Sequence, residues 1–191
     1  MTLPDLGRHA LEVAPGLLGA RLVSDVGGVR TEVRLRELEA YGGPEDPASH
    51  AANGPTQRCG TMFAGPGSLY VYLSYGVHWL GNVVTGAEGE GQAVLLRGGL
   101  PVEGVEVMEA RRGRGDHLTD GPGKLGVALG IGPQHDGLDL LDPSSEVRLE
   151  PGPAPSDFRV TPRIGITRAV EYPWRFLASP DAIRRAMAAT G

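Results

Sequence analysis

Glycine and proline recur along this chain at a density that rules out long, uninterrupted elements. There are 30 glycines and 16 prolines in 191 residues, a share close to that of low-complexity chains. They have no period, however, and instead punctuate apolar runs. The pattern predicts many short elements joined by tight turns. Hydrophobic residues make up 40% and charged residues 21% of the chain, a folded rather than a disordered composition. The length predicts a single domain over residues 1–191. The lone Cys59 excludes an internal disulfide framework and a cysteine-based zinc cluster. No apolar stretch approaches the roughly 20 residues of a membrane helix. The start, Met1-Thr2-Leu3-Pro4-Asp5, has neither the basic residues nor the apolar run of a secretory signal. The expectation is a soluble protein in a reducing compartment, with no membrane partner.

Several segments have a clear local pattern. Residues 5–14 have a helical stripe, which Pro15 interrupts. A strand over 20–26 and the turn signal Gly27-Gly28 follow. From Val29 the chain alternates, with Val29, Thr31, Val33 and Leu35 on one face and Arg30, Glu32, Arg34 and Arg36 on the other. That is a half-buried strand. Extended, its parity puts Glu37, Glu39 and Tyr41 on the apolar face. A carboxylate there sits in a pocket, where desolvation makes it a usable acid or base. Alternatively it points into water at the strand end, or a bulge re-aims it.

Residues 42–57 read as a loop containing Glu45, Asp46 and His50. These could serve as metal ligands, but their spacing matches no strong signature, and turn and cap roles are commoner. Leu69 to Tyr75 has high β-propensity. Gly76 marks a turn and residues 77–85 a returning strand. Tyr70 and Tyr72 share one face of this hairpin, and Tyr75 falls at its tip. An aromatic beside a turn glycine is poorly placed for a core and well placed to insert into a partner.

Further along, 92–97 reads as a buried strand ending in Arg97, and 103–112 as an amphipathic helix. Asp120-Gly121-Pro122-Gly123-Lys124 precedes a helix over 125–129. A glycine-rich turn at a helix start can bind phosphate, although the P-loop spacing is absent. Residues 137–141, 146–149 and 162–167 read as short strands, and 180–189 as a helix capped by Ser179. Lys124 is the only lysine, hence the only candidate for a lysine Schiff-base nucleophile. The formal net charge of −5 argues mildly against nucleic acid, yet Pro47 to Ala87 contains no Asp or Glu. The architecture expected is α+β: a mixed, mostly antiparallel, curved sheet flanked by helices, with a protruding hairpin.

Taken in order, these strings resemble the 3-methyladenine (alkyladenine, or methylpurine) DNA glycosylases. The resemblance runs from Leu17-Leu18-Gly19 to Trp174-Arg175-Phe176. It is densest in Glu39-Ala40-Tyr41, Gly43-Pro44-Glu45-Asp46, Ala48-Ser49-His50 and Leu69-Tyr70-Val71-Tyr72 with Tyr75-Gly76 and Asn82. Val94-Leu95-Leu96-Arg97, Gly121-Pro122-Gly123-Lys124-Leu125 and Pro162-Arg163-Ile164-Gly165-Ile166 follow. The family fold is the α+β one already expected. The resemblance implies a monofunctional glycosylase that flips a damaged purine out of double-stranded DNA and hydrolyses its N-glycosidic bond. Glu39 falls at the general base. Tyr41, His50 and Tyr72 fall at positions that stack the flipped base, and Asn82 at a residue that excludes the 2-amino group of guanine. Arg97 falls at a pocket-supporting or phosphate-proximal arginine. Tyr75 matches the side chain that fills the vacated stack, with Val77 and His78 beside it on the DNA face and Lys124 near the backbone. Leu38 departs from the family, where many relatives have Thr, and Val77-His78 replaces bulkier residues. No metal or organic cofactor is implied. The expected setting is a cytoplasmic monomer, nucleoid-associated if bacterial. Two other readings compete: a metal-dependent hydrolase built on Glu39, Glu45, Asp46 and His50, and a non-catalytic protein that binds damaged DNA through the tyrosine hairpin.

Overall fold

A computed structural model describes residues 1–190. In chain order its elements are α1 (Ala10–Gly16), β1 (Arg21–Ser24), β2 (Thr31–Tyr41), β3 (Leu69–Ser74), β4 (His78–Thr85) and β5 (Gln92–Glu103). They continue with α2 (Val105–Arg112), α3 (Pro122–Leu129), β6 (Val147–Glu150), β7 (Arg159–Thr161), β8 (Arg175–Leu177) and α4 (Pro180–Ala188). The strands form one curled sheet in the order β3-β4-β5-β2-β1-β6, and β8 pairs with both β2 and β7. Every strand pairing among the described residues is antiparallel. Among the described residues no helix is long and apolar enough to cross a membrane.

The alternating segment became the central strand. Val33 and Leu35 of β2 lie in the main core with Leu22 of β1 and Leu96 of β5. Helices α1, α2, α3 and α4 cover that face with Val13, Met108, Leu125 and Ile183. The glycine turn between β1 and β2 formed as expected, with Gly27 and Gly28 both at positive φ, where a side chain would be strained. Ser179 caps α4, its hydroxyl accepting from the Ala182 N–H at 3.1 Å.

The strand parity did not hold. The register between β2 and β5 shifts on both sides of Glu37, and a bulge of this kind moves every later side chain to the opposite face. Beyond it Leu38 and Ala40 enter the core, and Glu37, Glu39 and Tyr41 lie on the other face. Opposite the bulge β5 has Gly98 and Gly99, and a side-chain carbon at Gly99 would lie 2.6 Å from Val33 Cγ2. These glycines hide the strand's length: β5 runs on to Glu103, well past the expected end at Arg97. Helix α2 accordingly starts at Val105, after Gly104 at positive φ, and not at 103.

Two expected strands did not form. Residues 137–141 make a single bridge, Ser68 to Asp139, while Leu140 is buried from a turn. Residues 162–167 are irregular, because Pro162 ends β7 and the backbone beyond turns toward Glu39. The short strands β7 and β8 lacked a readable period.

Helix α3 lies so close to β4 that a side-chain carbon at Gly126 would sit 2.4 Å from the Trp79 carbonyl oxygen. Gly126→Ala is therefore expected to destabilise the fold by about 1–3 kcal/mol through overpacking, despite alanine's better helix propensity. Thermal or urea unfolding reads this directly, and an unchanged midpoint would contradict the close packing.

Candidate active site

Glu39 is fully shielded from solvent, and its neighbours offer it only donors. The Ile164 N–H donates to Oε1 at 2.9 Å. The Tyr41 hydroxyl donates to Oε2 at 3.0 Å, and Arg97 Nη1 approaches the same oxygen at 3.4 Å. A carboxylate, which only accepts, satisfies such a shell. Arg97 also donates from Nε to Glu37 Oε1 at 2.9 Å, where Arg175 Nε donates at 2.8 Å. Burial pushes the Glu37 carboxyl up, but the hydrogen bonds and charges of Arg97 and Arg175 outweigh it and hold the group below its ordinary range. Arg97 thus bridges two carboxylates that the bulge has turned to the same face.

Tyr41, whose hydroxyl bonds Glu39, lines a cleft of about 580 Å³ together with His50, Tyr72, Tyr75 and Asn82, whereas Glu39 and Arg97 are not among its lining residues. The cleft's size falls in the range of small-molecule sites. The His50 and Tyr72 rings meet edge to face, with centroids 4.5 Å apart. His50 Nδ1 and the Tyr70 hydroxyl are 3.0 Å apart, and Tyr70 stacks on Tyr72. Burial, and then the charge of Arg58, push the His50 ring below its usual value, which favours neutral imidazole at pH 7. Burial, and then the Glu39 charge, push the Tyr41 hydroxyl far above its usual range, so it stays a donor. Asn82 donates from Nδ2 to the Tyr70 carbonyl at 3.1 Å, which fixes its side-chain amide at the cleft wall.

The hairpin of β3 and β4 carries Tyr75 at its tip, 90% exposed. Tyr75 and Gly76 both have positive φ, and the Val77 N–H donates to the Ser74 carbonyl at 3.0 Å. Positive φ is uncommon for a bulky non-glycine residue, and such strain concentrates at functional positions. Val77 and His78 are exposed beside it. Gly123 of α3 lies directly under the His78 ring, so the start of that helix abuts the tip end of the hairpin, where His78 pairs with Ser74. Lys124 is partly exposed and bonded to Asp120 at 2.9 Å, outside the cleft.

The four side chains of the metal reading are dispersed by their own bonds. His50 is engaged with Tyr70, Glu39 with its donors, and Asp46 with Arg163, while Glu45 is exposed. No group of three or more potential ligands occurs among the described residues. Sequence reasoning assigned no role to Arg58 or Arg163, and placed Glu37 only beside Glu39 as a carboxylate of the same strand face. Arg58 was visible as a cation in an acid-free stretch, and its guanidinium lies 5.7 Å from the Tyr72 ring centroid. Nothing local pointed to Arg163 as the partner of Asp46.

A family model described as methylpurine-DNA glycosylase matches residues 5–182. A protein of Rhodopseudomonas palustris (strain HaA2) named "Putative 3-methyladenine DNA glycosylase" is 51% identical over 172 residues, covering 88% of this chain and 82% of that protein. Proteins of the same name from Rubrobacter xylanophilus and Cutibacterium acnes are 48% and 44% identical, covering 87% and 93% of this chain and 87% and 95% of their own length. Fold and matches together define a hydrolase of DNA repair. The chain belongs to the methylpurine-DNA glycosylase family and is a DNA glycosylase.

Proposed function

We propose that this glycosylase, acting as a monomer on double-stranded DNA, flips an alkylated purine such as 3-methyladenine or 7-methylguanine into the cleft. It then hydrolyses the N-glycosidic bond with water that Glu39 deprotonates. The observation that carries the reading is the placement of a solvent-shielded Glu39 carboxylate one hydrogen bond below Tyr41, a ring that lines the cleft. Water attacks C1′, the C1′–N bond breaks, and its electron pair leaves with the purine, so an abasic site remains. The Glu39 charge also opposes the positive charge developing on the sugar. A cationic base is attracted to the electron-rich faces of Tyr41 and Tyr72, and it is also the better leaving group. Neutral lesions, hypoxanthine and ethenoadenine, gain less from these faces. Lys124 is held by Asp120 away from the cleft, which supports water rather than a side-chain amine as the nucleophile.

The test is release of free 3-methyladenine and 7-methylguanine from methylated duplex DNA in excess EDTA, with the DNA product examined for intact abasic strands. Release under chelation supports the reading. Tight lesion binding without release would leave a damage-binding protein in its place.

Tyr75 supports the flipping step. Inserted into the vacated stack, it would offset part of the few kcal/mol that unstacking costs. Tyr75→Ala is expected to lower base release at subsaturating enzyme at least about tenfold, equivalent to about 1.4 kcal/mol. The thermal midpoint should stay near that of the parent, because the side chain is exposed. Unchanged release by this variant would remove Tyr75 from the flipping step.

A further inference from the structure

Asp46 and Arg163 form an ion pair whose two side chains are entirely buried. Arg163 donates from Nη1 and Nη2 to the two oxygens of Asp46 at 2.5 and 2.9 Å. The Gly42 and Ala48 N–H groups complete the carboxylate's shell. The guanidinium lies between two aromatic rings, 4.7 Å from the Tyr41 centroid and 4.9 Å from that of Trp174. Its Nη1 also donates to the Ala40 carbonyl at 3.0 Å, while the Ala40 N–H donates to the Trp174 carbonyl. Ala40 is the residue between Glu39 and Tyr41. Ile164, next to Arg163 in the chain, supplies the N–H that meets Glu39.

A buried ion pair is a poor source of net stability, because desolvation consumes most of its Coulomb gain and an apolar pair of similar volume often serves as well. Its value here is geometric. One planar fork touches the stacking ring, the peptide between base and ring, and the loop that bonds the base. Lysine has the charge but neither the fork nor the flat face.

We propose that Arg163, oriented by Asp46, is a positioning residue for the glycosylase reaction: it holds the Tyr41 ring and the Ile164 N–H in fixed relation to the Glu39 carboxylate. The inference rests on the reading of Glu39 as the base. It assigns no contact with substrate to Arg163.

Arg163→Lys, which keeps a positive charge beside Asp46, tests it, with Asp46→Asn, which keeps the side chain's shape and one acceptor oxygen, as the second variant. Three quantities are read: the single-turnover rate of 7-methylguanine release from duplex DNA, the affinity for the same lesion duplex, and hydrogen exchange at the Ile164 amide. The expected result for Arg163→Lys is a rate lower by about 100-fold, the cost of a small misplacement. Affinity should stay within about threefold, since binding and chemistry separate when only the reacting geometry is lost. The Ile164 amide should exchange faster in a protein that is otherwise folded. A rate within threefold of the parent overturns the proposal. So does a rate loss that merely follows the unfolded fraction in both variants. If the parent protein releases no base at all, the glycosylase reading itself fails. Exchange at Ile164 then still decides the clamp: faster exchange in Arg163→Lys supports it, and unchanged exchange overturns it.

Discussion

Replacing Glu39 by glutamine is expected to lower single-turnover base release by about 10²- to 10⁴-fold, the usual contribution of a positioned general base. Glutamine has the shape of glutamate but exchanges one acceptor oxygen for an NH2 group, which cannot take a proton from water. The loss should also show as an arrangement problem, because the neighbours at this position are donors: the Ile164 N–H, the Tyr41 hydroxyl and Arg97. Whichever way the amide is turned, one donor faces another. Lesion-duplex affinity should fall little, since the cleft-lining rings of Tyr41, His50 and Tyr72 are untouched. Rapid-quench release from a defined lesion duplex, with affinity measured in parallel, separates the two effects. A variant that still releases base within tenfold of the parent would remove Glu39 as the base and shift attention to Glu37, the other carboxylate held by Arg97.

Asp46→Ala should have the largest effect on stability. It leaves the Arg163 guanidinium buried without its counter-ion and strips the Gly42 and Ala48 N–H groups of their acceptor. Breaking one side of a buried pair costs about 3–5 kcal/mol, well above what the intact pair contributes. Urea unfolding at equilibrium measures this. A loss below about 1 kcal/mol would be the signature of a surface pair and would contradict the burial. Removing both partners together, with apolar residues of matching size, should recover the part of the loss that comes from the lone charge, while the Gly42 and Ala48 N–H groups still lack their acceptor. That double variant should stay inactive if the pair's role is geometric, so fold and rate part company.

Parts of the fold and site were legible because they depend on near neighbours. The glycines after β1, the tyrosine hairpin with its Tyr75-Gly76 tip, and the serine before α4 are written in adjacent residues. The aromatic cleft was partly legible for the same reason, since Tyr70 and Tyr72 share a strand face by the two-residue period. That His50, Tyr41 and Asn82 would join them could be anticipated only by resemblance to the glycosylases. Nothing in the chain's own pattern joins residues from four separate segments.

The facing of Glu39 shows where local reading stops. Alternation over Thr31 to Arg36 was real, although Val29 lies outside the strand and is exposed, yet one bulge at Glu37 reversed everything after it. A bulge has no signature in the strand that carries it. It depends on what lies opposite, here Gly98 and Gly99 on β5. The carboxylates left the core face for a polar one, where Arg97 and Arg175 meet them. The same limit hid the Asp46–Arg163 pair, whose members are 117 positions apart. On sequence evidence Asp46 was a loop acid with a metal among its options. In the folded chain it is an anchor saturated by one arginine and two backbone donors.

The sequence by itself determined the short-element architecture, the turns, the exposed aromatic tip and the chemical inventory, because propensity and periodicity act over a few residues. Only the tertiary structure decided which face Glu39 occupies, which donors surround it and which cation holds its neighbours in place. Those outcomes depend on strand register and on contacts between distant segments, and the desolvation of charged groups, which gives the contacts their strength, exists only once the chain has closed around them.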